Sequence, residues 1–274
     1  MNVVCIFPIT DNSERYFEIL TIFKEKIVPQ LAILGAEAIE IKFAGTDYVF
    51  VPTNQVKSQY GKQKGEGILE CLKNCGNRPD CVIVCDGSGA IPYTYIIDLY
   101  QELVSDLSIC GVLANRIKNK GITDERFLIE QFEIFALKKL YNYNANIPDG
   151  QCGLWGYKTG DYCINGCNIS GIKLTAKSYE VELDLLSELL QKKLKFSFID
   201  VELPPRTSSS SFKFENNITK MKFLLEKYPE LNDRLLTLIK EFELTDDFIS
   251  KASILSVKNI WDEYKKSIIN LLSQ

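Results

Sequence analysis

The chain has 274 residues, 46% hydrophobic and 25% charged, which is the make-up of an ordinary globular protein and excludes a disordered or collagen-like one. With 32 Lys and Arg against 36 Asp and Glu, a formal net charge of -4, no overall basic field exists to hold a nucleic-acid backbone, and nucleic acid is not expected as a partner. There are 0 histidines, so Ser-His-Asp, Cys-His and HExxH chemistry are excluded. Catalysis is left to carboxylates, Lys, Cys, Tyr, or a substrate that arrives already ionised.

The 9 cysteines are an odd number, and the N-terminal run lacks the basic and apolar regions of a leader; both point to a reducing, cytoplasmic setting. No stretch approaches the roughly 18 to 20 apolar residues of a bilayer span. Membrane contact is therefore expected only at a surface.

Val3 to Ile9 (VVCIFPI) reads as a buried strand, and after a polar loop Glu14 to Leu34 reads as a helix ended by Gly35. Ala38 to Phe43 is a second strand, followed by the turn Ala44-Gly45-Thr46-Asp47 and a short strand at Tyr48 to Val51. The Gly- and Lys-rich stretch Gly61 to Gly67 leads into a helix at Ile68 to Lys73, and Cys81 to Cys85 (CVIVC) is the most buried-looking strand of the chain. A helix at Tyr93 to Ser105, a strand at Ser108 to Leu113 and a long helix at Asp124 to Tyr141, capped by Thr123, continue the alternation. A helix from Ser178 to Lys193 and a strand at Lys195 to Val201 close it.

Apolar strands alternating with helices predict an α/β fold, a mostly parallel Rossmann-type sheet flanked by helices on both faces. Beyond Phe214 strand-like runs vanish, and the rest reads as helices broken at Pro229 and near Thr245 to Asp247. The predicted organisation is a sheet domain over 1–213 and a helical C-terminal extension over 214–274. The apolar stripes of the extension (Leu224, Leu231, Leu235, Leu238; Ile254, Val257, Trp261, Ile268, Leu272) suit packing on the core, on a second copy of the chain as a homodimer, or on a membrane surface.

In an open α/β sheet ligands gather outside the carboxyl ends of the strands, and Asp86 terminates the CVIVC strand there, followed by Gly87 and Gly89. The plainer reading is a cap on the next helix. A second constellation is Pro148 to Tyr157 (PDGQCGLWGY), in which Asp149 and Gln151 stand among glycines in a predicted loop. Trp155 is either core or a sugar-stacking platform. A third is Pro204 to Lys213 (PPRTSSSSFK), where Arg206, Lys213 and four serines suit a phosphate, or else form a solvated linker. Cys71-x3-Cys75, Cys81-x3-Cys85 and Cys163-x3-Cys167 lack the usual zinc spacing and read as small buried hydrophobes.

Taken together, a DGS at a strand tip, GVLANR (Gly111 to Arg116), DGQCGLWGY, YEVELDLL (Tyr179 to Leu186) and VELPPRTSSSSF resemble the family-2 glycosyltransferases of GT-A fold, in particular the polyprenyl- and dolichyl-phosphate sugar transferases. The resemblance runs from Val3 to Lys213. It implies transfer of a sugar, with inversion, from a nucleotide-diphosphate donor to a lipid phosphate or a saccharide. It makes Asp86 the first acid of the family's D-x-D motif and a ligand of Mg²⁺ or Mn²⁺, with Ser88 in place of the second acid. Of the nucleotide-holding end of the first strand only Pro8 is kept, with Thr10 as a substitute; Lys62 or Lys64 match the stretch before the D-x-D strand, and Arg116 and Arg126 the basic positions flanking phosphate. Asp149 and Gln151 match the acceptor loop, and Arg206, Ser211 and Lys213 the segment that closes over phosphate. For a hydroxyl acceptor Asp149 is the expected base, ahead of Glu182; an anionic acceptor needs none. Ala44 and Ser88 stand where the family has acids, which leaves open a binding module that has lost catalysis; the same layout also suits a nucleotidyltransferase.

Overall fold

The computed structural model describes residues 1–9, 13–45, 49–50, 63–75, 79–118, 123–159, 172–204 and 214–273. They divide by packing into two units: one takes in the described residues of Met1–Asn119 and Asp149–Pro205, the other those of Lys120–Pro148 and Arg206–Gln274.

The first unit is built on a 7-stranded sheet of order β3-β2-β1-β4-β6-β5-β7. Its strands are β1 (Asn2–Ile9), β2 (Ala38–Gly45), β3 (Val49–Phe50), β4 (Cys81–Cys85), β5 (Gly111–Lys118), β6 (Leu154–Lys158) and β7 (Phe196–Glu202). β1 pairs in parallel with β2 and β4, and β5 with β7. Only β3 and β6 run against the rest among the described strands. This is the mostly parallel, helix-flanked α/β sheet expected from the alternation of strands and helices.

Strand alternation sorts the side chains. Val3, Cys5, Phe7 and Ile9 of β1 and Cys81, Ile83 and Cys85 of β4 share one core with the helical stretch α1 (Ser13–Ile22), a π-helical turn (Phe23–Ile27) and α2 (Val28–Ile33), and with α4 (Tyr95–Ser105). The turn ends where Pro29, which has no N–H to give to the carbonyl four residues back, enters the helix. On the opposite face α3 (Lys64–Lys73) packs against β1 and β2, and Leu189 of α6 (Val181–Gln191) lies against Gly111. The cysteines at 5, 71, 81, 85, 110 and 152 are buried. Burial pushes the thiols of Cys71 and Cys81 up to about 12, the behaviour of small hydrophobes rather than of metal ligands. Cys163 and Cys167 lie outside the described residues.

The sequence reading is corrected at β6. Its residues LWGYK were read as part of a loop, yet they form a fully buried antiparallel strand between β4 and β5. Glycines hide the strand pattern, but Gly156 is required there, because any Cβ would run into Leu99 and the Val82 carbonyl. The strand expected at Ser108 to Leu113 starts later and runs on to Lys118.

The second unit consists, among the described residues, of α5 (Asp124–Leu140), α7 (Phe214–Lys227), α8 (Glu230–Glu243), α9 (Asp246–Ala252) and α10 (Leu255–Leu271). Pro229 opens α8, and the Thr245 side chain accepts the Phe248 N–H to cap α9. Leu224, Leu231, Leu235, Leu238, Val257, Trp261 and Ile268 are buried. Phe132 of α5 meets the rings of Phe242 and Trp261, both at 5.3 Å. The helix read from sequence as a sheet-flanking one, α5, thus packs with the C-terminal helices. No described helix is long and apolar enough to cross a membrane.

Candidate functional site

Parallel strands place all their carboxyl ends on one edge of the sheet, and the antiparallel β6 begins at that same edge. Asp86, immediately after β4, is thereby set beside the end of β1 and beside residues 149–153, which lead into β6. Two close backbone approaches fix it. The Gly87 N–H donates to the Pro8 carbonyl at 2.9 Å, where a Cβ on Gly87 would overlap Ile9. The Asp86 N–H donates to the Gly153 carbonyl at 2.8 Å, and a Cβ on Gly153 would overlap the Asp86 carboxylate. The Tyr93 hydroxyl donates to the Gly87 carbonyl at 3.0 Å and locks the turn from below. The cap of α4 is Thr94, so the reading of Asp86 as a helix cap is set aside.

Lys64, the first residue of α3, reaches Asp86 Oδ1 at 2.7 Å and is also ion-paired with Glu182, in the first turn of α6. Burial of the ammonium lowers its proton affinity, but Asp86 and Glu182 outweigh this, and the net direction is upward. Lys64 is a permanent cation here. The triad joins three segments far apart in sequence, and its Asp86 corner is open, with 36% of that side chain exposed against 12% for Lys64 and 7% for Glu182.

Glu182 is aimed by the same helix that holds the chain segment in front of it. Glu180, Asp184 and Glu188, spaced by four, accept backbone N–H groups of Ser178 (3.1 Å), Ala176 (2.7 Å) and Lys173 (3.0 Å). One stripe of carboxylates therefore straps residues 173–178 along α6. The Lys177 carbonyl in that strap accepts the Glu66 N–H of α3 at 2.9 Å, tying the start of α3 to the same support.

A second cluster on the same edge is closed. Arg116, on β5, grips Asp149 through its guanidinium, with Nη2 to Oδ1 at 2.7 Å and Nε to Oδ2. The Gln151 N–H donates to Asp149 Oδ1 at 3.0 Å. The pair is 5% and 4% exposed. A general base needs an oxygen open to the acceptor, so the expectation of Asp149 as that base is corrected: its carboxylate orients Arg116 and the turn at Gln151. Burial pushes the Cys152 thiol up to about 12, with Asp149 and Asp86 adding to the rise and Arg116 opposing it.

The remaining predicted site residues separate. Trp155 is 0% exposed within β6 and stacks beside Tyr157 at 6.3 Å, which corrects the sugar-platform reading in favour of core. Its indole N–H has no hydrogen-bond partner among the described residues. Ser88 is exposed, its hydroxyl 3.3 Å from the Ala90 N–H. Arg126 lies on α5 in the helical unit, paired with Glu130 at 2.8 Å. Thr10, Lys62, Arg206, Ser211 and Lys213 lie outside the described residues. Among the described residues, no group of three or more His, Cys, Asp or Glu side chains is placed to hold a metal ion.

The metal expected at Asp86 does not fit these residues. A hard dication wants several oxygen ligands, and among the described residues it would find two carboxylates, Asp86 and Glu182, both already paired with Lys64, and an exposed hydroxyl. An ion sharing Asp86 Oδ1 would sit within about 5 Å of the Lys64 ammonium, a repulsion of roughly 6 kcal/mol at an effective dielectric constant of about 20. The ion and the lysine would compete for the same carboxylate oxygen.

No protein-family model matches the chain, and no curated protein matches it. Solved structures do. The chain is similar to a glucosyl-3-phosphoglycerate synthase of Mycobacterium tuberculosis at 13% identity and a TM-score of 0.52, over 82% of this chain and 80% of that one. The structure of such a synthase in complex with Mg²⁺ and uridine diphosphate matches at 10% identity and 0.51, over 82% and 79%. A mycobacterial protein matches at 12% and 0.52, over 82% and 74%. At such identities the likeness is one of fold: this chain has the GT-A-like α/β fold of those glycosyltransferases.

Proposed function

We propose that this chain transfers a glycosyl group from a nucleoside-diphosphate sugar to an acceptor that is already anionic, a phosphate monoester such as a polyprenyl phosphate. The observation that carries the reading is the placement of Asp86 at the carboxyl tip of β4, half open, against the backbone of Pro8 and Gly153 and paired with Lys64. Support for the donor comes from the fold, since the neighbour of the same architecture holds uridine diphosphate.

Support for an anionic acceptor comes from the bases that are missing or engaged. The chain has 0 histidines, Asp149 is held by Arg116, and Glu182 is paired with Lys64. A hydroxyl acceptor would have to lose a proton to one of these; a phosphate oxygen loses none. In the proposed step that oxygen attacks the anomeric carbon, the bond from that carbon to the β-phosphate oxygen breaks, and the nucleoside diphosphate leaves with the electron pair. Attack opposite the leaving group inverts the anomeric centre. The chain's part is to hold two anionic groups in line and to exclude water. The 9 cysteines suit a reducing, cytoplasmic setting.

The test is incubation of the purified chain with UDP- and GDP-sugars and either a polyprenyl phosphate or a neutral saccharide, with products read by mass spectrometry. Transfer to the phosphate is expected, and Asp86→Ala should abolish it while leaving the circular dichroism unchanged. Nucleotide binding without turnover would identify a binding module instead. Pyrophosphate release from a nucleoside triphosphate and a sugar phosphate would identify a nucleotidyltransferase.

A further inference from the structure

Transfer leaves a diphosphate whose negative charge something must meet, and the site offers a fixed cation of its own. We infer that Lys64 is the resident cation of the donor site, occupying the place of a divalent ion, so that a nucleoside diphosphate binds without metal. The inference rests on the function proposed above.

The geometry supports it in three ways. An ammonium has three donors, and the two carboxylates Asp86 (2.7 Å) and Glu182 engage two of them, which leaves one N–H for a phosphate oxygen. The carboxylates come from β4 and α6, so the ammonium is held from two elements with little freedom to lose on binding. The second acid missing at Ser88 has a replacement in space: Glu182 supplies the second carboxylate, and it closes on a lysine. Asp86, the most exposed member at 36%, opens the triad to solvent.

One consequence separates a lysine from a metal. Two carboxylates around a single ammonium leave one negative charge in excess, whereas two carboxylates around a dication would balance. Removing the Glu182 charge should therefore strengthen diphosphate binding, where removing a metal ligand would weaken it.

The experiment is calorimetric titration of UDP and GDP onto the full chain in EDTA and in MnCl₂, with the electron paramagnetic resonance of free Mn²⁺ as a second readout. The wild type should bind equally in both buffers and leave the Mn²⁺ signal undiminished. Lys64→Ala should bind about 10- to 100-fold more weakly and should now take up Mn²⁺ on the freed carboxylates. Glu182→Gln should bind about 5-fold more tightly. Binding by the wild type only in Mn²⁺, or weaker binding by Glu182→Gln, overturns the inference and leaves the proposed function standing. If no nucleoside diphosphate binds in either buffer, the proposed function falls and the inference, which rests on it, falls with it. Should Lys64→Ala not fold, the wild-type titrations decide by themselves.

Discussion

Asp86 and Asp149 are both delivered to the carboxyl edge of one sheet, and both face a cation, yet their surroundings give them different work. Asp149 is closed: its two oxygens take a guanidinium fork and a backbone N–H, and the pair is 4% and 5% exposed. Asp86 is open on one side, and its partner Lys64 is shared with Glu182. A closed pair has nothing left to offer a ligand and much to lose if broken, because the surviving charge is stranded without water. A half-open pair loses less on disruption and can exchange a contact for a ligand. The contrast shows that exposure and sharing, rather than residue type, separate a structural carboxylate from a candidate site.

The comparison is broken most severely at the closed cluster. Asp149→Ala should cost about 3–5 kcal/mol of stability by taking its carboxylate from the buried Arg116 guanidinium, read as a fall in the midpoint of chemical denaturation; a loss under 1 kcal/mol would place that pair in solvent. Next comes Gly153→Ala, whose Cβ would force the Asp86 carboxylate to turn off Lys64. It should lower nucleoside-diphosphate affinity about 10-fold while costing about 1–3 kcal/mol of stability, separable by titration and denaturation on the same sample. Unchanged affinity would detach Asp86 from the donor site. The smallest effect belongs to Ser88→Ala: the exposed hydroxyl should change stability by no more than about 0.5 kcal/mol and leave diphosphate binding alone. A marked loss of binding would restore Ser88 as a ligand-bearing residue.

Strand tip and sheet were legible because both depend on local pattern. CVIVC is too short for a helix and too apolar for a surface, and a carboxylate following it marks an edge of the sheet. Gly153 and Gly156, on either side of Leu154 and Trp155, obscured β6, since the signal that makes it a strand lies in its neighbours: Leu99 and the Val82 carbonyl demand a residue without a side chain at Gly156. The Lys64–Asp86–Glu182 triad was legible only in pieces. Lys64 and Asp86 stood out from their motifs, while Glu182, among the leucines of YEVELDLL, carried no sign of facing Lys64 rather than the strap held by Glu180, Asp184 and Glu188. Spacing by four along that helix was the available clue, as it sets those three on one stripe and leaves Glu182 on another.

The sequence by itself determined the kind of sheet, the helical character of residues 214–274 and the absence of histidine chemistry, because periodicity and composition act through each residue's own backbone and side chain. Only the tertiary structure decided that Asp149 is engaged, that Trp155 is core, that α5 belongs with the C-terminal helices and that Lys64 stands between two carboxylates. Those outcomes depend on which distant segments meet at one edge of a sheet, and on how much water remains there to compete for each charge.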